Sequence, residues 1–464
     1  MIDDLKYASM AEAFINGVQK AKQENKDKLV TYTMECESQP LQFYRNSEKL
    51  KMDFRHFWSD PEGVTLVGVG STLDLTADGH SRFDSIQTRW LAFLKEHQIS
   101  IEHAGTGPVL MGGFSFNPVL TAAEEWTNYP AAAMVLPQFL LTQRENKAWL
   151  TVNKRVTPKD DPKALIATIE EQKNMLLADR TDEEGYFQTH QDLQVTALFP
   201  TEWKASVQKA VDKMKAGELE KIVLSRALRV KKEGSLNIPA LLYRLKQQQP
   251  NSFVFAIERF GDAFVGATPE RLVKREGTKF YADALAGTAS RGGTQAEDEA
   301  LGQGLLNDKK NRQEHQFVVK MIKDDFEAFC DKVIIPDRPV LYKTRDVQHL
   351  YTPIYGHGKP DAHLLDAISK IHPTPAMGGT PKEKAVALIS ELESHERGWY
   401  SAPVGWIDSN GNGEFSVAIR SGLIRGNEAR LFAGCGIVSD SSPTEEFKET
   451  EMKFRPMLNA LKEE

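Results

Sequence analysis

Cysteine is scarce in this chain: Cys36, Cys330 and Cys435 are the only three in 464 residues. They lie far apart with no Cys-x-x-Cys spacing, which excludes a disulfide framework and a thiolate zinc site. No apolar run approaches the roughly eighteen residues that span a bilayer. The opening Met1-Ile-Asp-Asp-Leu-Lys6 lacks the basic and apolar regions of a secretory signal. The chain is therefore expected to be cytoplasmic, with no membrane partner. Positive charge is not concentrated either: 58 Lys plus Arg stand against 65 Asp plus Glu, a formal charge of -7, with no long block of one sign. Nucleic acid is accordingly not an expected partner.

Familiar ligand motifs are also missing. Gly68-Val-Gly70-Ser-Thr-Leu73 has two glycines of a dinucleotide fingerprint but Leu73 where the third belongs, and no Walker Gly-Lys-Ser/Thr occurs. Asp408-Ser-Asn-Gly-Asn-Gly413 imitates half of a calcium loop, yet its twelfth position is Ile419 rather than a bidentate glutamate; it reads as a hairpin turn. His395-Glu396 lacks the second histidine of a zincin. No Ser/His/Asp or Cys/His constellation is visible in local sequence.

What is present is a foldable chain, 41% hydrophobic and too long for one ordinary core. Residues 1–156 mix a helix over Tyr7–Gln23 with strand-like runs over Leu29–Met34, Val64–Val69 and Ala131–Leu141, and read as an αβ lobe. Residues 157–200 turn polar and read as a helical connector, with a helix over Ala164–Ala178. From 201 to 464 an amphipathic helix over Glu202–Ala216 precedes strands at Lys221–Val230, Ser252–Phe260, Asp262–Val265, Arg271–Arg275 and Lys279–Ala284. Reversals at Gly261-Asp262 and Glu276-Gly277 favour antiparallel pairing. Helices follow over Ala296–Phe329, with a break expected near Gly302 and Gly304, then over His363–Lys370, Pro381–Glu393 and Pro443–Leu461. Strands over Gly413–Arg425 and Arg430–Val438 are joined across Gly426-Asn427.

Within this frame Lys221 and Glu270 offer a base and an acid. Read from local sequence alone, the simpler role for Lys221 is a solvated lysine at a strand start, and for Glu270 a pair with Arg271 or the cap of a turn. Glu314 sits on a polar helix face, where a solvated role is the simpler one. Glu446 lies in the first turn of a helix whose Ser442-Pro-Thr-Glu445 start predicts a capping box. That box assigns the capping role to Glu445 and leaves Glu446 free. Glu449 and Lys453 stand at i, i+4 spacing and are expected to pair.

In order along the second half run Lys221-Ile-Val-Leu-Ser-Arg226, Ala267-Thr-Pro-Glu-Arg-Leu272, Leu285-Ala-Gly-Thr-Ala-Ser-Arg291, Asn311-Arg-Gln-Glu-His315, His372-Pro-Thr-Pro-Ala-Met-Gly-Gly379, Phe415-Ser-Val-Ala-Ile-Arg420 and Gly434-Cys-Gly-Ile-Val438. As a set these resemble the chorismate-utilising enzymes and, within them, the isochorismate synthases. The match runs from about Glu202 to the C-terminus, with a looser echo in Gly112-Gly-Phe-Ser-Phe116.

The resemblance implies an α+β fold of two stacked, largely antiparallel sheets flanked by helices. It implies chorismate as substrate, with water added at C2 and the C4 hydroxyl lost. Lys221 then acts as the base and Glu270 as the acid, with Mg²⁺ held by Glu314 and Glu446. Substrate contacts fall to Gly287, Thr288, His349, Arg420, Gly434 and Gly436, although a core histidine, a surface arginine and ordinary turn glycines remain open for these positions. Lys221 stands where ammonia-using relatives carry glutamine, so no glutaminase subunit is expected. Ala286 stands where another branch carries a nucleophilic lysine. A salicylate synthase, which goes on to eliminate pyruvate, is the alternative, as is a siderophore-pathway enzyme; a non-catalytic chorismate-binding homologue belongs to a different class. The long N-terminal segment favours a menaquinone-pathway form, acting as a monomer or weak homo-oligomer.

Overall fold

The computed structural model describes residues 9–97, 103–120, 124–179, 193–343 and 347–462. Among the described residues the strands form two sheets, of twelve and ten strands, and every pairing is antiparallel. The first sheet runs Lys28–Cys36, Lys147–Val156, Phe139–Arg144, Val64–Val69, Phe54–Ser59, Phe253–Arg259, Asp262–Thr268, Ser421–Arg425, Glu428–Ile437, Lys221–Lys231 and Gly379–Thr380, with Gln194–Ala197 also against Lys221–Lys231. The second runs Cys330–Ile334, Val347–Gly358, Lys279–Ser290, Arg271–Glu276, Gly413–Val417, Pro403–Asp408, Val109–Phe114, Ala132–Leu136 and Leu73–Ala77, with Val340–Lys343 beside Val347–Gly358. This is the expected α+β pair of sheets.

Strand alternation sorts side chains into three layers. Phe255, Phe264 and Phe432 of the first sheet meet Met111, Val404 and Trp406 of the second in one apolar core between the sheets. Their sequence neighbours Val254, Val265 and Leu431 face outward, onto the helices Ile238–Gln248 and Pro443–Leu461. The outer face of the second sheet packs Leu110, Phe114 and Ile407 beneath the helices Arg82–His97 and Leu364–Ile371.

Three long elements expected from the sequence are interrupted. The run over Ala131–Leu141 is two strands in different sheets, broken at Pro137, which cannot donate to a ladder. The run over Gly413–Arg425 also changes sheet, at Ala418–Arg420, with Arg420 in the left-handed region at φ 51°. The helix over Ala296–Phe329 is two helices, Gln295–Asn307 and Lys309–Glu327, and the break falls at Asp308 rather than at Gly302 or Gly304. The Asp308 side chain accepts from Asn311 N and caps the second helix. In both sheets the strands from residues 1–156 form one contiguous end and those from later in the chain the other, and a hydrogen-bonded ladder joins the two blocks in each sheet, Phe54–Ser59 with Phe253–Arg259 and Val109–Phe114 with Pro403–Asp408.

Candidate active site

Two chain crossings between the sheets lie side by side. Thr268-Pro-Glu270 leads from the first sheet to the second, and Ala418-Ile-Arg420 leads back. They are laced together by Ala267 N donating to the Arg420 carbonyl at 3.1 Å and Val417 N donating to the Glu270 carbonyl at 3.0 Å. Glu270 therefore sits at a corner of the sandwich and not on a turn within one sheet.

Lys221 opens the strand Lys221–Lys231 of the first sheet, and Glu428–Ile437 pairs with that strand in a register that sets Gly436 opposite Val223 and Gly434 opposite Ser225. The Lys221 side chain passes over Gly436: a Cβ there would lie 3.0 Å from Lys221 Cε and 3.6 Å from Nζ. Glycine leaves that passage uncrowded. Burial pushes Lys221 below the ordinary lysine range, against the pull of Glu314, Glu270 and Glu449. Burial likewise pushes the Glu270 carboxyl up to about 7, with Lys221 and Lys453 opposing. The two groups are thus moved toward one another and toward neutrality.

Arg420 lies in the same region. Burial lowers its guanidinium pKa while Tyr400 and Glu449 act the other way. His349 reaches Thr288 Oγ1 at 3.0 Å and the Gly287 carbonyl at 3.2 Å through Nδ1. Its pKa is lowered by burial, with Arg420 and Lys453 adding to the effect. Gly287 forms a bulge at φ 71°, where the register against Val347–Gly358 slips between Ala286 and Thr288. Thr288 is exposed and opens onto a cavity of about 720 Å³ that Asn311, Leu301 and Arg291 also line; Lys221 and Glu270 lie outside it.

The carboxylates on the two covering helices differ. Glu314 is exposed on Lys309–Glu327 and lies within electrostatic reach of Lys221. Glu446, on Pro443–Leu461, accepts from Ser441 Oγ at 2.7 Å through Oε1, while its Oε2 is buried without a hydrogen-bond partner. The expected capping box does not form: Ser442 caps without a side-chain bond, and Glu445 pairs with Lys448 at 2.9 Å. Glu449 and Lys453 do pair, at 2.7 Å. Lys453 belongs to the site as well, donating to the Gly434 carbonyl at 3.0 Å and lying within reach of Glu270. Tyr400 was not singled out in the sequence, and Lys453 was read there only as the partner of Glu449. Lys453 could have been found from its position at i+7 from Glu446, on the same helix face. Among the described residues the side chains of Lys221, Glu270, Glu314 and Arg420 make no hydrogen bond or ion pair.

Two antiparallel sheets with helices on their outer faces thus hold, at one corner, a buried lysine and a carboxyl raised by burial within electrostatic reach of each other, a candidate acid–base site. The chain belongs to the chorismate binding enzyme family, whose profile matches residues 16–462. It is 40% identical over 458 residues to isochorismate synthase MenF of Bacillus subtilis, covering 96% of each chain. It is 34% identical over 406 residues to the salicylate biosynthesis isochorismate synthase of Pseudomonas aeruginosa, covering 87% of this chain and 84% of that one. The fold matches that of MenF, the menaquinone-specific isochorismate synthase from Escherichia coli, with a TM-score of 0.78 at 24% identity over 97% of this chain and 99% of that one.

Proposed function

We propose that this chain is an isochorismate synthase, adding water at C2 of chorismate as the ring double bonds shift and the C4 hydroxyl departs. The observation that carries this reading is the Lys221–Glu270 pair, a lysine lowered and a carboxyl raised by burial in one corner of the fold. Neutral Lys221 takes a proton from the attacking water, and protonated Glu270 gives one to the leaving hydroxyl, so atoms and charge balance. Arg420 grips a substrate carboxylate through two parallel donors, as guanidinium geometry allows. Lys453 adds positive charge nearby. Gly434, Gly436 and Gly287 let substrate approach the backbone, while Thr288 and His349 contact the ring side. The likeness to the Bacillus subtilis isochorismate synthase along nearly the whole chain supports the reaction, and the MenF name it shares with the menaquinone-specific enzyme of Escherichia coli supports menaquinone formation as the pathway served.

A divalent cation fits this donor set. The buried, unpartnered Oε2 of Glu446 needs a positive partner, and Glu314 offers a second, exposed carboxylate. Two carboxylates suit Mg²⁺, which keeps several waters and takes substrate oxygens for the rest. Among the described residues no group of three or more His, Cys, Asp or Glu is placed to hold a metal. Bound there, Mg²⁺ supplies charge against a substrate carboxylate. Chelator should stop turnover and Mg²⁺ restore it, and Glu446→Ala should raise the Mg²⁺ concentration needed for half-maximal rate by at least about tenfold.

The decisive test follows product over time. Chorismate should give isochorismate, and isochorismate should regenerate chorismate with the same requirement for Mg²⁺. Stoichiometric pyruvate, read with lactate dehydrogenase and NADH, together with salicylate fluorescence would replace this reading with salicylate synthase.

A further inference from the structure

Three sequence motifs lie outside the chemistry just described: Gly112-Gly-Phe-Ser-Phe116, His372-Pro-Thr-Pro-Ala-Met-Gly-Gly379 and the His395-Glu-Arg-Gly-Trp399 segment. The structure brings all three to one side chain. Arg397 is 2% exposed, and each of its five N–H donors is used. Nε and Nη2 hold the Glu393 carboxylate at 2.9 and 2.6 Å, Nη2 also donates to the Val223 carbonyl at 2.7 Å, and Nη1 donates to the Met377 carbonyl at 2.9 Å and to Ser401 Oγ at 3.1 Å. Its guanidinium lies 4.3 Å over the Phe116 ring.

The position of these bonds along the Lys221–Lys231 strand gives them meaning. On the edge away from Glu428–Ile437, that strand is paired by Gly379–Thr380 at Lys221 and Ile222 and by Gln194–Ala197 from Leu228 onward. Between them the ladder has a gap. Val223 N donates to the Gly378 carbonyl at 2.9 Å, after which side chains take over: the Val223 carbonyl accepts from Arg397, and Ser225 N donates to Glu393 Oε1 at 2.6 Å. A buried ion pair thus stands in for the missing strand, two residues from Lys221. The same arginine fixes the Met377 carbonyl, next to the Gly378-Gly379 backbone that lies against Lys221. At Gly379 a Cβ would meet the Lys221 carbonyl at 2.2 Å.

We propose that Arg397 and Glu393 are positioning residues for Lys221, acting through the Val223 and Met377 carbonyls and touching no substrate. The inference rests on the isochorismate synthase reading. It differs from a purely structural role because the tie is made to the strand that carries the base. Neighbouring Ser225 Oγ and His395 Nε2, 3.1 Å apart, form a buried hydrogen bond in the same layer but off that tie. Both the Ser225 bond and the 4.0 Å approach of Glu393 fall on Nε2 of His395, so these three side chains are not a nucleophilic triad.

The test compares Arg397→Lys, which keeps the charge but loses the planar fork, with Ser225→Ala. Chorismate turnover, KM, chorismate binding and hydrogen exchange of the 221–226 amides are measured on folded, purified full-length protein. Arg397→Lys should lower kcat about 10- to 100-fold with KM and binding within about threefold, as a small displacement of a catalytic group does. It should also speed exchange in 221–226. Ser225→Ala should leave kcat within about threefold. Parental kcat in Arg397→Lys, or an equal fall in both variants, overturns the proposal. If the parent itself does not convert chorismate, the functional reading fails, and unchanged exchange in Arg397→Lys would still overturn the tie on its own.

Discussion

The inner face of the first sheet changes character along its own strands. On Glu428–Ile437, Phe432 enters the inter-sheet core with Phe255 and Phe264, whereas Gly434 and Gly436, next on the same face, carry no side chain. On Lys221–Lys231 the change is parallel: Ala227 belongs to that core, and Lys221 ends the same face. One pairing of strands therefore packs the core at its aromatic end and borders the proposed site at its glycine end. Rigidity built at the first end is what holds the second in place.

The contrast predicts that the two ends fail differently. Lys221→Ala and Glu270→Gln should each lower kcat by about two to four orders of magnitude with the circular dichroism spectrum unchanged. A Lys221→Ala enzyme that keeps most of its activity would remove the base from this account. Phe264→Ala, at the other end, should cost about 3–5 kcal/mol of stability through transfer and cavity terms. Per folded molecule, it should leave kcat within severalfold. Denaturant melts with activity scaled to the folded fraction separate the two outcomes.

Much of this division was legible in the sequence. The motif set around Lys221 and Glu270 carried, through its resemblance to a family, the α+β class and the proposal of an acid–base pair. The changes of sheet at Pro137 and at Ala418–Arg420 were not legible, since each run looks like one continuous strand until its partners are known. The joining of residues 1–156 to 201–464 within each sheet was hidden for the same reason: pairing between distant strands is set by tertiary packing. The role of Lys453 was masked by its correctly expected pair with Glu449, which is compatible with a second duty at the Gly434 carbonyl.

A stored cost at the glycine end sharpens the contrast further. The Glu270 carboxyl is raised from 4.5 to about 7 by burial. Below the unfolded value it is protonated in both states and costs nothing; as pH rises toward 7 the native state must hold either a proton or a buried charge, and stability is lost. Glu270→Gln removes that loss. Its midpoint denaturant concentration should match the parent at pH 4 and exceed it above pH 7, by about 1–3 kcal/mol. A variant equal to the parent at both pH values would show that the site holds its acid without strain. The same pair sets the activity profile: rate should fall toward acid as Lys221 gains its proton and toward alkali as Glu270 loses its own.

The smallest expected effect is the most local. Gly436→Ala adds one methyl, whose contact is with Lys221 Cε at 3.0 Å, the far end of a flexible side chain rather than backbone. The lysine can move by a few tenths of an ångström, so folding should be unaffected, with the denaturation midpoint shifted by less than about 0.5 kcal/mol. Catalysis is less tolerant, because the neutral amine and the attacking water must keep their separation; kcat should fall about tenfold with KM little changed. The neighbouring Gly422→Ala provides the counterpart, since its Cβ would meet Leu431 Cδ2 at 2.5 Å and the Arg430 carbonyl at 3.0 Å, away from Lys221. It should lower stability and spare kcat per folded molecule. If Gly436→Ala instead lost stability and kept its rate, the glycine end would be packing like the aromatic end, and the division between them would not hold.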